Sequence, residues 1–385
     1  HINLYLFKMT KGLKKFINTL ISKGKIKESD YSTNSKVQNL YKHNIRSIAI
    51  DISYFIHKFI SHKNYIVSFI NLIELFTDNA INIIFVFDGK PPKEKDAVLK
   101  ERRERRIKND NIVKQYENDL KILNTIDVLE PNDECKAEIQ KNIIKANIKK
   151  FKRRTFSIKN EHIKILKSLF DILKIPYIHI NYEADLVIAN LIKQKMIDAC
   201  LSDDYDMISF QCSKIIRDLN IYKGTITILD TNKLSNVLQL SLEQLTYLNI
   251  LSGSDYSLSL KDINIEYIYT LLVQKYDMQH ILKLIKNTDY NYLEPYNLFI
   301  KTLDFNIKTD ISNYKEFKHI NNYYMVHLCE ISKNVFLKHY NAENTYNVDN
   351  VDNVDNVDNV YNVTLIKDKL NHYYNKFNTN IPIFF

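Results

Sequence analysis

The sequence predicts an α/β chain, a mostly parallel sheet with helices on both of its faces. Three observations predict it. Short apolar runs of strand length alternate with segments whose apolar residues recur at helical spacing. Several of those runs end in an aspartate, and the carboxyl edge of an open parallel sheet is where sites are built. A long, highly charged stretch (93–159) interrupts the alternation as an insertion would.

The elements follow in order. IRSIAID (45–51) is a strand ending in Asp51, and ISYFIHKFI behind it is a helix. INIIFVFDG (81–89) is a second strand, with Asp88 just past its apolar run. Beyond the charged stretch, HIKILKSLFDILKI (162–175) has helical periodicity and PYIHI reads as a strand. EADLVIANLIKQK (183–195) is a helix leading into the strand MIDACLS, which runs into three crowded acids, Asp203, Asp204 and Asp206. Strands KIIRDL (214–219) and TITILD (225–230) precede the helix LEQLTYLNILSG (242–253), which stops two residues before Asp255. One aspartate behind a strand is ordinarily a turn residue or a helix N-cap. Several on one edge are harder to explain that way.

Composition bounds the function. At 385 residues the chain accommodates one catalytic domain plus additions, and its net charge of +9 suits a polyanionic partner. The four cysteines (Cys135, Cys200, Cys212, Cys329) form no CxxC pair. A disulfide framework and a zinc site are therefore not expected, and an intracellular, reducing compartment is. No run of about 18 apolar residues offers a membrane span. The natural start is expected at Met9, with residues 1–8 an extension or a fragment edge. The triplet repeat NVDNVDNVDNVDNV (347–360) lacks apolar mass and reads as a flexible linker.

The acids on the predicted edge are Asp51, Asp88, Glu183, Asp185, Asp204, Asp206 and Asp255. For Glu183 or Asp185, at a helix start, N-capping is the alternative role. No His or Cys accompanies the set, and an all-oxygen donor set selects Mg²⁺ or Mn²⁺. Two such ions about 3.5–4 Å apart would clamp a phosphodiester for hydrolysis. In FDGKPPKEKDAVLKERRERR (87–106), Lys95 and Arg102 are seven residues apart, two helical turns, so both would project from one face toward a phosphate. The alternative is an ordinary solvated basic helix with pairs such as Glu101–Arg105.

IAIDISYFIHKFI, VFDGKPPKEKDAVLKERRERR, YEADLVIANLIKQKMIDACLSDDYDMISF and NILSGSDYSLSL occur in the order and spacing of the flap endonuclease/XPG family, 5′ structure-specific nucleases with a PIN-like fold. The resemblance spans about Met9 to Leu272. It implies that all seven acids named above hold two Mg²⁺ ions (Mn²⁺ substituting), with Asp203 beside the set but outside it. It further implies that Lys95 and Arg102 are phosphate-activating cations at the base of a helical arch. His57 would stack under a DNA base. The basic run KKFKRR (149–154), with Lys149, Lys150, Phe151, Arg153 and Arg154, would follow the DNA backbone within the arch. DISYFIHK, YEAD and ILSGSDYSLSL resemble the exonuclease-one branch. FDGKPP and NEHIKILKSLFDILKIPY resemble flap endonuclease itself.

Two positions depart from the family pattern. Thr10 stands where the family has its N-terminal glycine. In SLKDINIEYIYTLL the Gly-x-Gly hairpin with which a helix-two-turn-helix holds potassium is absent, and Asp262 would repel phosphate. The C-terminal NTNIPIFF (378–385) resembles a sliding-clamp-binding box, with Ile381, Phe384 and Phe385 as anchors. The resulting organisation is an extension (1–8), an N-terminal nuclease region (9–92), the arch (93–160), and an internal nuclease region with the helix-two-turn-helix (161–290). A helical extension (291–345), the repeat linker (346–363) and the tail (364–385) follow. The function expected is a monomeric, Mg²⁺-dependent 5′ nuclease acting on DNA flaps, nicks, gaps or free 5′ ends in replication, repair or recombination. It would work in the nucleus or at the replication site of a large DNA virus. The alternatives are a 5′→3′ exonuclease acting mainly on RNA and a junction-binding scaffold with weak catalysis.

Overall fold

The computed structural model describes residues 12–60, 65–125, 131–260, 263–303 and 311–312. Met9, Thr10, Asp262, Cys329, the repeat and the tail residues Ile381, Phe384 and Phe385 lie outside them. By its internal contacts the chain divides into two units, one of residues 1–94 with 160–385 and the other Lys95–Lys159.

The first unit is built on one eight-stranded sheet: β1 (Ser32–Lys36), β2 (Ser47–Asp51), β3 (Asn82–Val86), β4 (Tyr177–Ile178), β5 (Ala199–Leu201), β6 (Lys214–Asn220), β7 (Thr225–Asp230) and β8 (Ile311–Ser312). Their order is β1-β7-β6-β5-β2-β3-β4-β8. The five inner strands, β6 to β4, are parallel, and β7, β1 and β8 add antiparallel edges. In chain order the strands step from β2 to β3 and β4 on one side, then return to β5 and β6 on the other. The direction of winding thus reverses between β2 and β5. A crevice opens at the carboxyl ends of strands at such a reversal.

Helices α1 (Leu13–Ser22), α2 (Ile52–Phe59) and α3 (Tyr65–Thr77) precede the second unit, which contains α4 (Asp96–Thr125) and α5 (Pro131–Thr155). The first unit resumes with α6 (Asn160–Ile172), α7 (Ala184–Lys193), the single turn α8 (Asp206–Ser209), α9 (Thr231–Leu238) and α10 (Leu242–Ser252). It continues through α11 (Ile265–Val273), α12 (Met278–Leu284) and α13 (Leu293–Ile300).

The central strands are buried on both faces, which is why they read as continuous apolar runs rather than alternating ones. Alternate residues of β2 point to opposite sides, so Ala49 joins the core containing α1, α7 and α10, packed with Ile84, Cys200 and Ile215. The other face meets an aromatic stack in which Phe85 lies 4.4 Å from Phe170 and nearly parallel to it. Phe55, Phe59 and Phe69 extend that stack through edge and tilted contacts. Helix α10 is buried on most sides because its neighbours α8, α11 and α13 cover it, and a capping box of Ser241 and Gln244 starts it.

In the second unit, α4 and α5 pair with each other. Val113 and Leu120, seven residues apart on α4, are buried. Tyr116 meets Phe151 at 6.0 Å, and Lys152 pairs with Glu117 at 2.7 Å. Lys95 ends a short 3₁₀ turn just ahead of α4, and Arg102 lies in α4 itself. The α-helical spacing expected to join them therefore begins one residue after Lys95.

Candidate active site

Asp51 ends β2 and takes the N-cap of α2, its Oδ1 accepting the amide of Ser53 at 2.8 Å. The turn residue expected of a lone aspartate is therefore present. It also fixes Asp51 at the mouth of the reversal between β2 and β5. Next to it, Asp51 registers with Val86 of β3, two residues before Asp88.

Asp88 does a different job from its neighbours. Its Oδ1 accepts the amide of Ala184 at 3.0 Å, so an acid from one strand end caps the helix that follows another. Glu183, at the N-cap position of α7, makes no capping bond. The N-capping alternative for Glu183 is thereby displaced by Asp88. Instead the buried Glu183 accepts the hydroxyl of the equally buried Tyr256 at 2.7 Å.

This arrangement depends on Gly89. Its amide donates to the carbonyl of Tyr182 at 2.7 Å, zipping the loop after β3 to the loop after β4. A Cβ there would stand 2.2 Å from the carbonyl oxygen of Ile180 and 2.6 Å from the amide nitrogen of Tyr182. Only glycine lets the two backbones approach so closely.

The third contribution comes from the loop after β5. Asp204 Oδ1 accepts the amide of Asp206 at 2.9 Å, turning the chain into α8. Asp206 is almost fully buried, and its two carboxylate oxygens accept Nδ2 of Asn249 at 2.9 Å and the amide of Asp255 at 3.1 Å. Gly253, at φ +91°, makes the turn from α10 that brings Asp255 to this point. Burial, then the charges of Asp204 and Asp255, holds the Asp206 carboxyl well above the usual carboxylate range. Tyr256 is likewise pushed up by burial, then by Asp185, Glu183 and Asp206. These three acids therefore share the neighbourhood of one phenol.

The predicted acids thus lie at the ends of β2, β3 and β5 and the starts of α7 and α8, with Asp255 brought to Asp206 by the turn after α10. Among the described residues, no three His, Cys, Asp or Glu side chains close into a metal site as they stand. The donor set nevertheless fits a hard divalent cation. It is all carboxylate, and burial, then the charges of Asp204 and Asp255, raise Asp206, a cost that a bound cation would relieve.

The contacts of three residues escaped the sequence. Asp203 is more than surplus charge: it accepts the Tyr54 hydroxyl, and its Oδ1 accepts the amide of Asp218 at 2.9 Å. It thereby ties α2 and β6 to the loop carrying Asp204. Asn249 and Tyr256 each hold one acid. The motif GSDY contains Tyr256, but nothing in its spacing announces a bond to residue 183. His57 is exposed on α2, and Lys149, Lys150, Arg153 and Arg154 lie on α5. Phe151 packs against Tyr116 with Arg154 5.1 Å over its ring. Cys200 and Cys212 are free thiols in the core, where burial first and then Cys212 push the Cys200 thiol up.

A parallel α/β sheet reversing at β2/β5, with carboxylates crowning the reversal, defines the class of protein. Residues 11–109 match the XPG N-terminal domain and residues 174–255 the XPG I-region. Over these two segments the chain is similar to the flap endonuclease/XPG family. Flap endonuclease 1 of Xiphophorus maculatus is 28% identical over 233 residues, 58% of this chain and 55% of that protein. Flap endonuclease 1 of Drosophila mojavensis is 29% identical over 233 residues, 58% of this chain and 54% of that protein. The chain therefore spans a little over half the length of these relatives. Flap endonuclease-1 from Methanococcus jannaschii has the same fold, with a TM-score of 0.55 at 18% identity over 91% of this chain and 97% of that one.

Proposed function

We propose that this chain is a Mg²⁺-dependent 5′ structure-specific DNA nuclease that hydrolyses phosphodiester bonds at flaps, gaps or free 5′ ends. The observation that carries the reading is the carboxylate crown at the strand reversal. Asp51, Asp88, Glu183, Asp185, Asp204, Asp206 and Asp255 would hold two ions, with Mn²⁺ able to replace Mg²⁺. Divalent ions held there supply Lewis acidity to the scissile phosphate.

The chain's own residues do the rest. Asp88 and Tyr256 orient the start of α7 and the Glu183 carboxylate. Asn249 and the amide of Asp255 orient Asp206. Lys95 and Arg102 would stabilise charge developing on the phosphate. Lys149, Lys150, Arg153 and Arg154 would follow the backbone with a salt-dependent grip, Phe151 packing among them and His57 stacking on a base. The family's metal dependence supports Mg²⁺. The glycine-free segment after Asp255 supports no potassium site. Ile381, Phe384 and Phe385 would anchor a sliding clamp. The site of action would be where DNA is replicated or repaired.

The test offers the purified chain 5′-flap, gapped and blunt DNA and a 5′-phosphorylated RNA, all with Mg²⁺. Cleavage near the flap junction supports the reading. Short products from blunt or recessed ends assign the exonuclease branch. Cleavage of RNA alone refutes DNA specificity, and no cleavage of any substrate refutes the nuclease.

A further inference from the structure

Beside the carboxylates lies a cavity of about 200 Å³ that no role above uses. Glu183, Tyr256, Tyr182, Leu186, Phe210 and Leu298 line it. Lys90 and Lys301 are its cations, both exposed. We propose that it is a subsite for one unpaired nucleotide of the DNA, with the base inside and the adjoining phosphate at Lys90 and Lys301. The proposal rests on the nuclease reading and adds to it a site of stated chemistry.

The cavity is built rather than left over. Its loops are zipped by the bond from the Gly89 amide to Tyr182. The far wall is pinned by Asn190, fully buried on α7, whose Nδ2 donates to the carbonyl of Lys301 at 3.1 Å. The Asn190 Oδ1 accepts the amide of Leu303 at 2.8 Å. Lys193 Nζ donates to the carbonyl of Phe299 at 3.3 Å. Lys301 Nζ then sits 5.1 Å over the ring of Tyr182, held by the ring's negative face.

Size and polarity select the ligand. Pockets that take whole drug-sized ligands run from roughly 300 to 1,000 Å³, so this one has room for a single base and not a dinucleotide. The aromatic and apolar side chains that line the interior accept a neutral base rather than a phosphate. The cations at Lys90 and Lys301 supply what the adjoining phosphate needs.

The experiment uses the full chain with Ca²⁺ in place of Mg²⁺ and measures affinity for a 5′-flap duplex by fluorescence anisotropy. A single abasic site is moved one nucleotide at a time across the junction. The unmodified chain is expected to lose about tenfold or more in affinity at one position. Tyr182→Ala, at a side chain partly in solvent, and the cavity-filling Leu298→Trp should both flatten that profile. A flat profile in the unmodified chain, while it still cuts the intact flap in Mg²⁺, overturns the subsite and leaves the nuclease standing. The same peak retained in folded Tyr182→Ala also overturns it. Failure to bind or cut any DNA overturns the nuclease reading and the subsite with it.

Discussion

Replacing Gly89 by alanine tests how the site is held together. The new Cβ would lie 2.2 Å from the Ile180 carbonyl oxygen, against an ordinary contact of 3.4 Å or more. One of the two loops must therefore retreat by about 1 Å, since backbone cannot rotate away as a side chain can. The retreat breaks the Gly89–Tyr182 hydrogen bond and draws Asp88 off the amide of Ala184. Overpacking of this kind costs about 1–3 kcal/mol, and the lost hydrogen bond about 1 kcal/mol more. The larger effect falls on chemistry. A displacement near 1 Å in a catalytic constellation lowers the rate by about 10²-fold. Urea denaturation measures the first effect and single-turnover cleavage of a 5′-flap substrate the second. A Gly89→Ala protein with unchanged midpoint and unchanged rate would refute the claim that this backbone approach positions Asp88 against α7.

Other outcomes follow from neighbouring contacts. Asp203→Ala removes the acceptor for the Tyr54 hydroxyl and the Asp218 amide, so stability should fall by about 1–3 kcal/mol. Cleavage should weaken without vanishing, and a dead but fully stable variant would contradict a positioning role. Tyr256→Phe deletes the hydroxyl that Glu183 accepts, and should lower thermal stability by about 1–3 kcal/mol in EDTA, with Mg²⁺ restoring part of it. An equal loss with and without Mg²⁺ argues against metal near Glu183. Burial, followed by Lys214, Lys233 and Lys42, lowers the His43 pKa in the fold. The unfolded chain therefore binds the extra proton more readily, and His43's contribution to stability is complete above about pH 6.5 and lost as pH falls through the folded value. Urea midpoints at pH 7.5 and 5.0 should differ less in His43→Gln than in the unmodified chain, and an unchanged difference refutes the assignment.

Much of this site is visible in the chain because parallel strands buried on both faces leave long apolar runs, and the acids stand at their ends. IAID, IIFVFD and ACLSDD carry both signals at once. The edge strand β1 carries neither, since STNSK is polar and gains its place by antiparallel pairing with β7, nearly two hundred residues away. Of the antiparallel edges only β7 was legible, and only as a strand, because direction depends on connections that local pattern does not encode; β8 (Ile311–Ser312) falls in the segment read as a helical extension. Helix α3 packs so thoroughly into the aromatic layer that its periodicity is faint. The roles of Asp203, Asn249 and Tyr256 arise from contacts between elements remote in sequence, so a reading of spacing finds the acids but not what holds them. The N-cap alternative shows the same limit. Helix α7 is capped by Asp88, ninety-six positions before Ala184, and neither Glu183 nor Asp185 is needed for it.

The most direct measurement compares the unmodified chain with Asp204→Asn in single-turnover cleavage of a 5′-flap substrate, each in Mg²⁺ and in EDTA. Asparagine keeps the oxygen that accepts the Asp206 amide but removes the charge. The account predicts cleavage by the unmodified chain in Mg²⁺, none in EDTA, and a rate at least about 10²-fold lower for Asp204→Asn. Cleavage that survives EDTA, or an Asp204→Asn rate equal to that of the unmodified chain, would contradict the carboxylate crown as the seat of catalysis.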